Sequence, residues 1–349
     1  MNTQKRRKAT QIDIARLAGV SQSTVSLVLN EDPSRSQIPA ATRERVMDAV
    51  RELGYTANPA ARSLKGGRNR LLGLYTFETV FPLDQRDFYY PFLAGVEEET
   101  AERGYDLVLF TSAGYDQGRG VYAGDVNRLK VADGCVLLGR HIRRDDLERL
   151  VAEDFPVVFV GRRHVEGGAL SFVAADYAAA TRDVVLRLAA LGHRRLLYLA
   201  AGDQSEPSQD RASGYQEGLA EAGVTSDERI IEPDGLTADR LVGWLADGVT
   251  AIVVEPTEDD RVAVALQEAA ASARVGIPED VSVALLGDPP TWSASPRDWA
   301  GFSIPRTEMA RAAVDMLINL LDGQAEQRTL FLPCPQVTGD SIAPARVRP

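Results

Sequence analysis

Thr10-Gln-Ile-Asp-Ile-Ala-Arg-Leu-Ala-Gly-Val-Ser-Gln-Ser-Thr-Val-Ser-Leu-Val-Leu-Asn30 reads as two short helices joined by a tight turn. Thr10 and Asp13 have the spacing of a capping box, in which a hydroxyl and a carboxylate serve the free N–H groups of a helix start. Ile14, Ala15, Leu17 and Ala18 follow, and Gly19 supplies the left-handed residue that ends the helix. Val20 is an apolar plug, and Ser21 is placed to cap a second helix from Gln22 to Leu29. Small Ala15 and Ala18 let the two helices cross closely. The second helix is expected to bury Val25 and Leu29 and to present Gln22, Ser23, Ser26 and Leu27 outward. A third helix, from about Thr42 to Leu53, carries Val46, Ala49, Val50 and Leu53 on one face and stops at Gly54. Three short helices with a glycine turn between the first two make a helix-turn-helix domain.

Charge sets this head apart from the rest of the chain. The chain has 349 residues and a net charge of −11, but residues 1–70 balance at +7 and the remainder at −18. A small basic head on a large acidic body suggests a polyanion-binding module joined to something else, with DNA contacts confined to the head. The competing reading is a basic tail without a target. Asn58-Pro-Ala-Ala-Arg-Ser-Leu64 then offers a cap at Asn58 and a proline at the first helical position. It is too short to be stable alone in water and precedes Gly66-Gly67. It therefore suits a hinge helix that forms against a partner, or else a plain linker.

Taken jointly and in order, Ile12 to Asn30, Thr42-Arg-Glu-Arg-Val46, Glu52-Leu-Gly-Tyr55 and Asn58 to Leu64 resemble the lactose/galactose repressor (LacI/GalR) family. The resemblance implies that Gln22 and Ser23 open a recognition helix in the major groove. It implies that Thr10, Ser21, Thr24, Ser26, Asn30, Tyr55 and Asn58 mostly grip phosphates. It also implies that Ala61 and Leu64 of paired hinge helices enter the minor groove, Leu64 acting as an apolar wedge that bends the duplex. Leu27 departs from the pattern. Many relatives have Arg there, suited to guanine N7 and O6, whereas Leu can pack only on a thymine methyl.

From residue 71 onward, short apolar runs alternate with helical patterns. The runs are 71–77, 106–110, 134–138, 157–160, 196–200, 251–254 and 281–286. The helical stretches are 92–103, 145–152, 178–191, 214–222, 238–246, 259–271 and 307–321. This alternation implies parallel sheets covered by helices on both faces, and about 275 residues suffice for two such lobes. Gly192-His-Arg-Arg195, Arg211-Ala-Ser-Gly-Tyr-Gln-Glu-Gly-Leu219 and Ile277-Pro-Glu-Asp-Val-Ser-Val283 extend the resemblance to the family's core, which is similar to periplasmic sugar-binding proteins. The expected fold is thus an all-α helix-turn-helix head with a hinge helix, then a two-lobed α/β core with parallel sheets. The expected domains are 1–58 for the DNA-binding head, 59–69 for hinge and linker, and 70–349 for effector binding and dimerisation.

In such a fold the ligand sits between the lobes at the carboxyl ends of the strands. The resemblance puts Arg211 in the cleft, where a guanidinium fork bridges two hydroxyls or a carboxylate; the plain alternative is a surface ion pair. Residues 81–92, with Asp87, Phe88, Tyr89 and Tyr90, occupy the position of a first-lobe cleft loop, whose aromatics could stack on a sugar ring or pack an ordinary core. Arg140 and Arg162 follow strands and could face the cleft or solvent. Where relatives show Gly-Phe-Asp-Asp, this chain has Leu285-Leu-Gly-Asp288, so the ligand-binding Asp falls on Gly287 and Asp288 is its candidate substitute. Glu255-Pro256 replaces a usual Asn-Asp pair. These departures point away from a simple hexose, toward a modified or larger saccharide or another polar metabolite.

No Gly-x-Gly-x-x-Gly after a strand, Gly-x4-Gly-Lys, Gly-x-Ser-x-Gly or His-Glu-x-x-His occurs, so an enzyme is not expected. Cys135 and Cys334 are the only cysteines, neither in a zinc spacing, and His141, His164 and His193 are isolated. No metal, cofactor, disulfide, secretory signal or membrane span is expected, which makes the chain cytoplasmic. The reading is a ligand-responsive, sequence-specific DNA-binding regulator, a repressor of carbohydrate-related genes. It would act as a homodimer on a pseudo-palindromic double-stranded operator, with a small-molecule effector and no terminal coiled coil. The effector would be an inducer or a corepressor according to the hinge spacing it favours. The alternative is an orphan regulator whose cleft has lost ligand binding.

Overall fold

The computed structural model describes residues 9–29, 37–55, 68–77, 86–111, 120–139, 143–166, 170–202, 204–230, 233–257, 261–288, 298–324 and 328–346. They divide into two compact units, Met1–Leu71 and Leu72–Pro349.

In the first unit α1 (Gln11–Ala18), α2 (Gln22–Leu29) and α3 (Ala40–Leu53) enclose Ile14, Ala15, Ala18, Val25, Val28, Val46 and Ala49. The chain turns by 107° between α1 and α2. Gly19 makes that turn at φ +65°, a conformation that costs an L side chain and not glycine. The inward residue near the end of α2 is Val28, while Leu29 is half-buried. The short helix therefore turns a little further than the expected Val25/Leu29 face. The third helix starts two residues before the expected Thr42, behind Pro39.

The second unit holds two six-stranded sheets. The first contains β1 (Leu71–Thr76), β2 (Asp106–Thr111), β5 (Gly134–Leu138), β6 (Val157–Val160), β7 (Ser171–Ala175) and β13 (Thr329–Leu332), in the order β13-β7-β6-β5-β1-β2. Between β2 and β5 a small antiparallel hairpin joins β3 (Tyr122–Ala123) and β4 (Val126–Asn127). α4 (Arg86–Glu102), α5 (Arg144–Ala152) and α10 (Arg306–Leu321) accompany this sheet, α10 packing on α4 and on β5 to β7. The second sheet contains β8 (Arg195–Ala200), β9 (Thr225–Ile230), β10 (Ala251–Val254), β11 (Ser282–Leu285), β12 (Ala300–Phe302) and β14 (Gln336–Val337), in the order β14-β12-β11-β10-β8-β9. α6 (Tyr177–Ala190), α7 (Glu206–Ala222), α8 (Ala238–Ala246) and α9 (Arg261–Ala273) belong with it. Pairing is parallel throughout β8 to β12, and β14 closes the edge antiparallel to β12.

The inner strands β1, β5, β6, β8, β10 and β11 are almost wholly buried, which is why they read as continuous apolar runs. β9, β12, β13 and β14 escaped the sequence because they are short, polar or at an edge, and β7 was passed over although it lies inside its sheet. Helix α7 extends eight residues N-terminal of the expected 214–222, and residues 86–91 are the first turns of α4, not a loop. The glycines of α7 explain its close fit to α6: a Cβ on Gly214 would lie 2.0 Å from the Ala178 carbonyl oxygen.

Among the described residues the chain passes between the lobes three times: from β7 to α6, from β12 to α10, and from β13 to β14. The crossings are tied together, Asp176 N donating to Leu332 O at 2.8 Å and Ser303 N to Pro335 O at 2.9 Å. Beyond them the C-terminal segment packs onto the second lobe. His193 Nε2 lies 3.0 Å from Ala343 O, and Nδ1 lies 2.9 Å from Thr250 Oγ1. A carbonyl can only accept, so Nε2 carries the proton and Nδ1 accepts from the threonine hydroxyl.

Burial, the largest cause, holds the His193 pKa below its ordinary value. The unfolded chain therefore binds a proton that the folded one refuses as pH falls below about 6.5. Stability contributed by neutral His193 is present above that pH and declines below it. Thermal unfolding followed from pH 7.5 to 5 should show a smaller loss of stability for His193→Gln than for the parent; identical slopes would contradict this account of the histidine.

Candidate functional site

In the head, the sequence-expected caps are present. Thr10 Oγ1 accepts from Asp13 N at 3.3 Å, and Asp13 Oδ2 accepts from Thr10 N at 2.9 Å. Ser21 Oγ accepts from Thr24 N at 3.1 Å and shares hydroxyl contacts with Ser23 and Thr24. Gln22 Nε2 donates to Gln11 Oε1 at 2.7 Å, steadying the side chain at the start of α2 against α1. Gln22 and Ser23 are exposed; Thr24, Ser26 and Leu27 are half-buried, and Tyr55 packs at the edge of the core. The exposed surface of α2 is thus polar and narrow, with Leu27 at its margin. Asn30, Asn58, Ala61 and Leu64 lie outside the described residues.

In the core, each lobe has a point where strand order reverses: β5 and β2 flank β1, and β10 and β9 flank β8. Such reversals open a crevice beyond the carboxyl ends of the strands. Arg211, only 6% exposed, belongs to this region. Its Nε donates to Leu286 O at 2.9 Å, and its guanidinium carbon lies 4.1 Å from the centre of the Tyr177 ring. No described carboxylate forms an ion pair with it, so it is not the surface ion pair of the plain alternative. Burial pushes the Tyr177 hydroxyl up, with Arg211 pulling the other way. Burial likewise raises the Cys334 thiol to about 12 against the pull of Arg211. Tyr177 and Cys334 are therefore both held neutral beside the Arg211 guanidinium.

The other expected cleft residues fare differently. Asp288 is engaged by Arg306, whose guanidinium also lies 4.7 Å from the Phe88 ring centre. Arg162 binds Asp210 through Nε at 3.1 Å and Nη2 at 2.6 Å. Tyr89 is a core residue, 3% exposed, and Tyr90 is 63% exposed on α4. Phe88 is thus the aromatic of this stretch that meets a cleft cation. Asp87 sits in the first turn of α4, and Arg140 lies outside the described residues.

Glu255, at the end of β10, is buried and accepts from Tyr198 OH at 2.6 Å, while Tyr198 stacks 4.8 Å from Tyr215. Two buried hydroxyl oxygens, Thr76 Oγ1 at the end of β1 and Thr257 Oγ1 just past β10, have no hydrogen-bond partner among the described residues. A buried hydroxyl left unpaired costs about 1–3 kcal/mol, so both suit a polar ligand. Sequence reasoning passed over Tyr177, Arg306, Thr76 and Thr257. The Tyr-Phe-Arg grouping comes from three distant segments and leaves no local pattern.

A helix-turn-helix unit followed by two lobes of parallel α/β structure, with a buried arginine at the strand ends, defines a DNA-binding regulator built on a periplasmic-binding-protein-like core. Comparison with known proteins agrees. Residues 10–58 match the family described as bacterial regulatory proteins, lacI family, and residues 185–342 match the periplasmic binding protein-like domain. The HTH-type transcriptional regulator CelR of Thermobifida fusca is 31% identical over 335 residues, 93% of this chain and 95% of that protein. The ribose operon repressor of Escherichia coli is 28% identical over 322 residues, 89% of this chain and 92% of that one. Among solved structures, a CelR–cellobiose complex is 26% identical with a TM-score of 0.60, covering 95% of this chain and 99% of that one. The lac repressor dimer bound to operator and the anti-inducer ONPF shares the fold with a TM-score of 0.66 at 23% identity, covering 97% and 100% of the two chains. This chain belongs to the lacI family of bacterial transcriptional regulators. Among the described residues no single helix is long and apolar enough to cross a membrane.

Proposed function

We propose that the chain is a cytoplasmic, non-enzymatic repressor that binds a saccharide or similar polar metabolite between its lobes and, as a homodimer, reads a pseudo-palindromic operator. The observation that carries the effector half is Arg211. A buried guanidinium without a carboxylate is costly unless a ligand supplies acceptors, and adjacent hydroxyls of a saccharide fit its fork. Thr76, Thr257 and Phe88 add hydroxyl and aromatic partners of the kind a sugar ring uses. CelR, a relative over most of its length, is known as a complex with cellobiose, which supports a saccharide in this cleft.

The DNA half follows from the head. Gln22 and Ser23 project from α2 toward bases, with Leu27 beside them for a thymine methyl. Thr10, Ser21, Thr24, Ser26, Asn30, Tyr55 and Asn58 hold phosphates. Residues 59–69 form the hinge, in which Ala61 and Leu64 enter the minor groove. Two heads on one operator require the dimer, and an effector acts by favouring one lobe arrangement and so one hinge state.

A thermal-unfolding screen of the full chain against saccharides, cellobiose, ribose and sucrose among them, tests the cleft. A ligand at 100 times its Kd stabilises by about 2.7 kcal/mol, a shift of a few degrees. Arg211→Leu should keep the fold and abolish that shift; an undiminished shift would remove Arg211 from the site. For the head, Leu27→Arg should change base preference at one symmetric pair of operator positions toward guanine, by about 1–3 kcal/mol. An unchanged selection profile would take Leu27 out of the groove.

A further inference from the structure

Three ion pairs join the lobes, and they share one polarity. Arg162 and Arg163 follow β6 of the first lobe, and Arg306 opens α10, which packs on the first-lobe sheet. Their partners Glu206, Asp210 and Asp288 all belong to the second lobe. Glu206 and Asp210 stand one turn apart on α7, so two consecutive arginines meet two carboxylates on the same helical face. Arg162 grips Asp210 with both arms, and Arg163 Nη1 reaches Glu206 Oε2 at 3.1 Å. Arg163 is itself anchored in the first lobe, its Nη2 donating to Gly139 O at 3.2 Å and its guanidinium lying 5.0 Å from the centre of the Phe159 ring. The remaining ion pairs among the described residues stay within the head or within one lobe.

Exposed ion pairs are worth little, but these side chains are mostly covered, from 10% exposed at Arg163 and 14% at Arg306 to 28% at Asp288 and 32% at Arg162. Partly buried, bidentate pairs escape much of the screening that weakens surface ones. Parting the lobes would separate all three pairs at once, leaving partners only from solvent. The residue after Asp210 is Arg211, so the same contact that draws the first lobe onto α7 also fixes the turn carrying the cleft cation.

We infer that Arg162, Arg163 and Arg306 form an electrostatic latch with Asp210, Glu206 and Asp288 that favours the closed arrangement of the lobes, with Arg162 and Arg163 as positioning residues for Arg211. This deepens the cleft reading of Proposed function and rests on it for its purpose. Its test uses no ligand, so a failed saccharide screen leaves it standing.

The chain carries its own reporter. Cys334 lies on the third crossing between β13 and β14 and is 7% exposed, whereas Cys135 is sealed inside β5. Cys334 lies near Arg211, Asp176 and Asp288, so opening of the lobes should free the first thiol, whereas only unfolding should free the second. Labelling with Ellman's reagent, on the full ligand-free chain and on its Cys135→Ala variant, separates the two rates. Arg162→Glu should raise the Cys334 rate tenfold or more while Cys135 stays unreactive, and the charge swap Arg162→Asp with Asp210→Arg should return it toward the parent value. Raising salt from 0.05 to 0.5 M should speed Cys334 labelling in the parent and do much less in Arg162→Gln. Parent-like labelling in Arg162→Glu, or no rescue by the swap, would overturn the latch. If Arg162→Glu exposes both thiols together, the salt series on the parent decides: a rate independent of salt rejects the proposal.

Discussion

A guanidinium that is buried without a carboxylate is the constraint around which the core is arranged. Arg211 lies over the Tyr177 ring, and its Nε donates to the Leu286 carbonyl. That contact joins α7 to the end of β11. Desolvating a charge in this way costs several kcal/mol unless acceptors are supplied. The surrounding tyrosine and thiol are both kept neutral by burial, so they do not supply a counter-charge. The cation is left without a described counter-charge, which is the basis of the proposal that a polyhydroxyl ligand completes the site.

The architecture makes that incompleteness consequential. Each lobe is a rigid sheet flanked by helices, and the three crossings are tied by backbone hydrogen bonds at Asp176 and Ser303. Such a joint permits the lobes to pivot as bodies while resisting separation, the usual repertoire of hinged closure. A ligand shifts the balance only by its difference in affinity for the two arrangements. Arginines on one lobe and carboxylates on the other set the starting point of that balance.

The sequence reveals the head more fully than the cleft, for a physical reason. A capping box, a left-handed glycine and a serine cap act within four residues, so Thr10, Asp13, Gly19 and Ser21 announce their own geometry. Apolar runs such as 134–138, 157–160 and 251–254 likewise appear as strands because parallel sheets are buried on both faces. Cleft residues have no such local signature. The first half of α7, Glu-Pro-Ser-Gln-Asp-Arg-Ala-Ser, is too polar to show a helical face, yet it carries Glu206, Asp210 and Arg211. Asp288 reads as a sugar acceptor until Arg306, 18 residues on, is seen to hold it. Tyr89 reads as a cleft aromatic, but the helical start at Arg86 turns it into the core and gives that place to Phe88.

The central claim is that occupancy of the cleft governs binding at the head. The direct measurement is the affinity of the full chain for an operator recovered by selection from random duplexes, with and without a saccharide that stabilises the core. The account predicts a change of at least fivefold, in the range of ordinary allosteric coupling, that is absent in Arg211→Leu. An operator affinity unmoved by a saccharide that demonstrably occupies the cleft would contradict it.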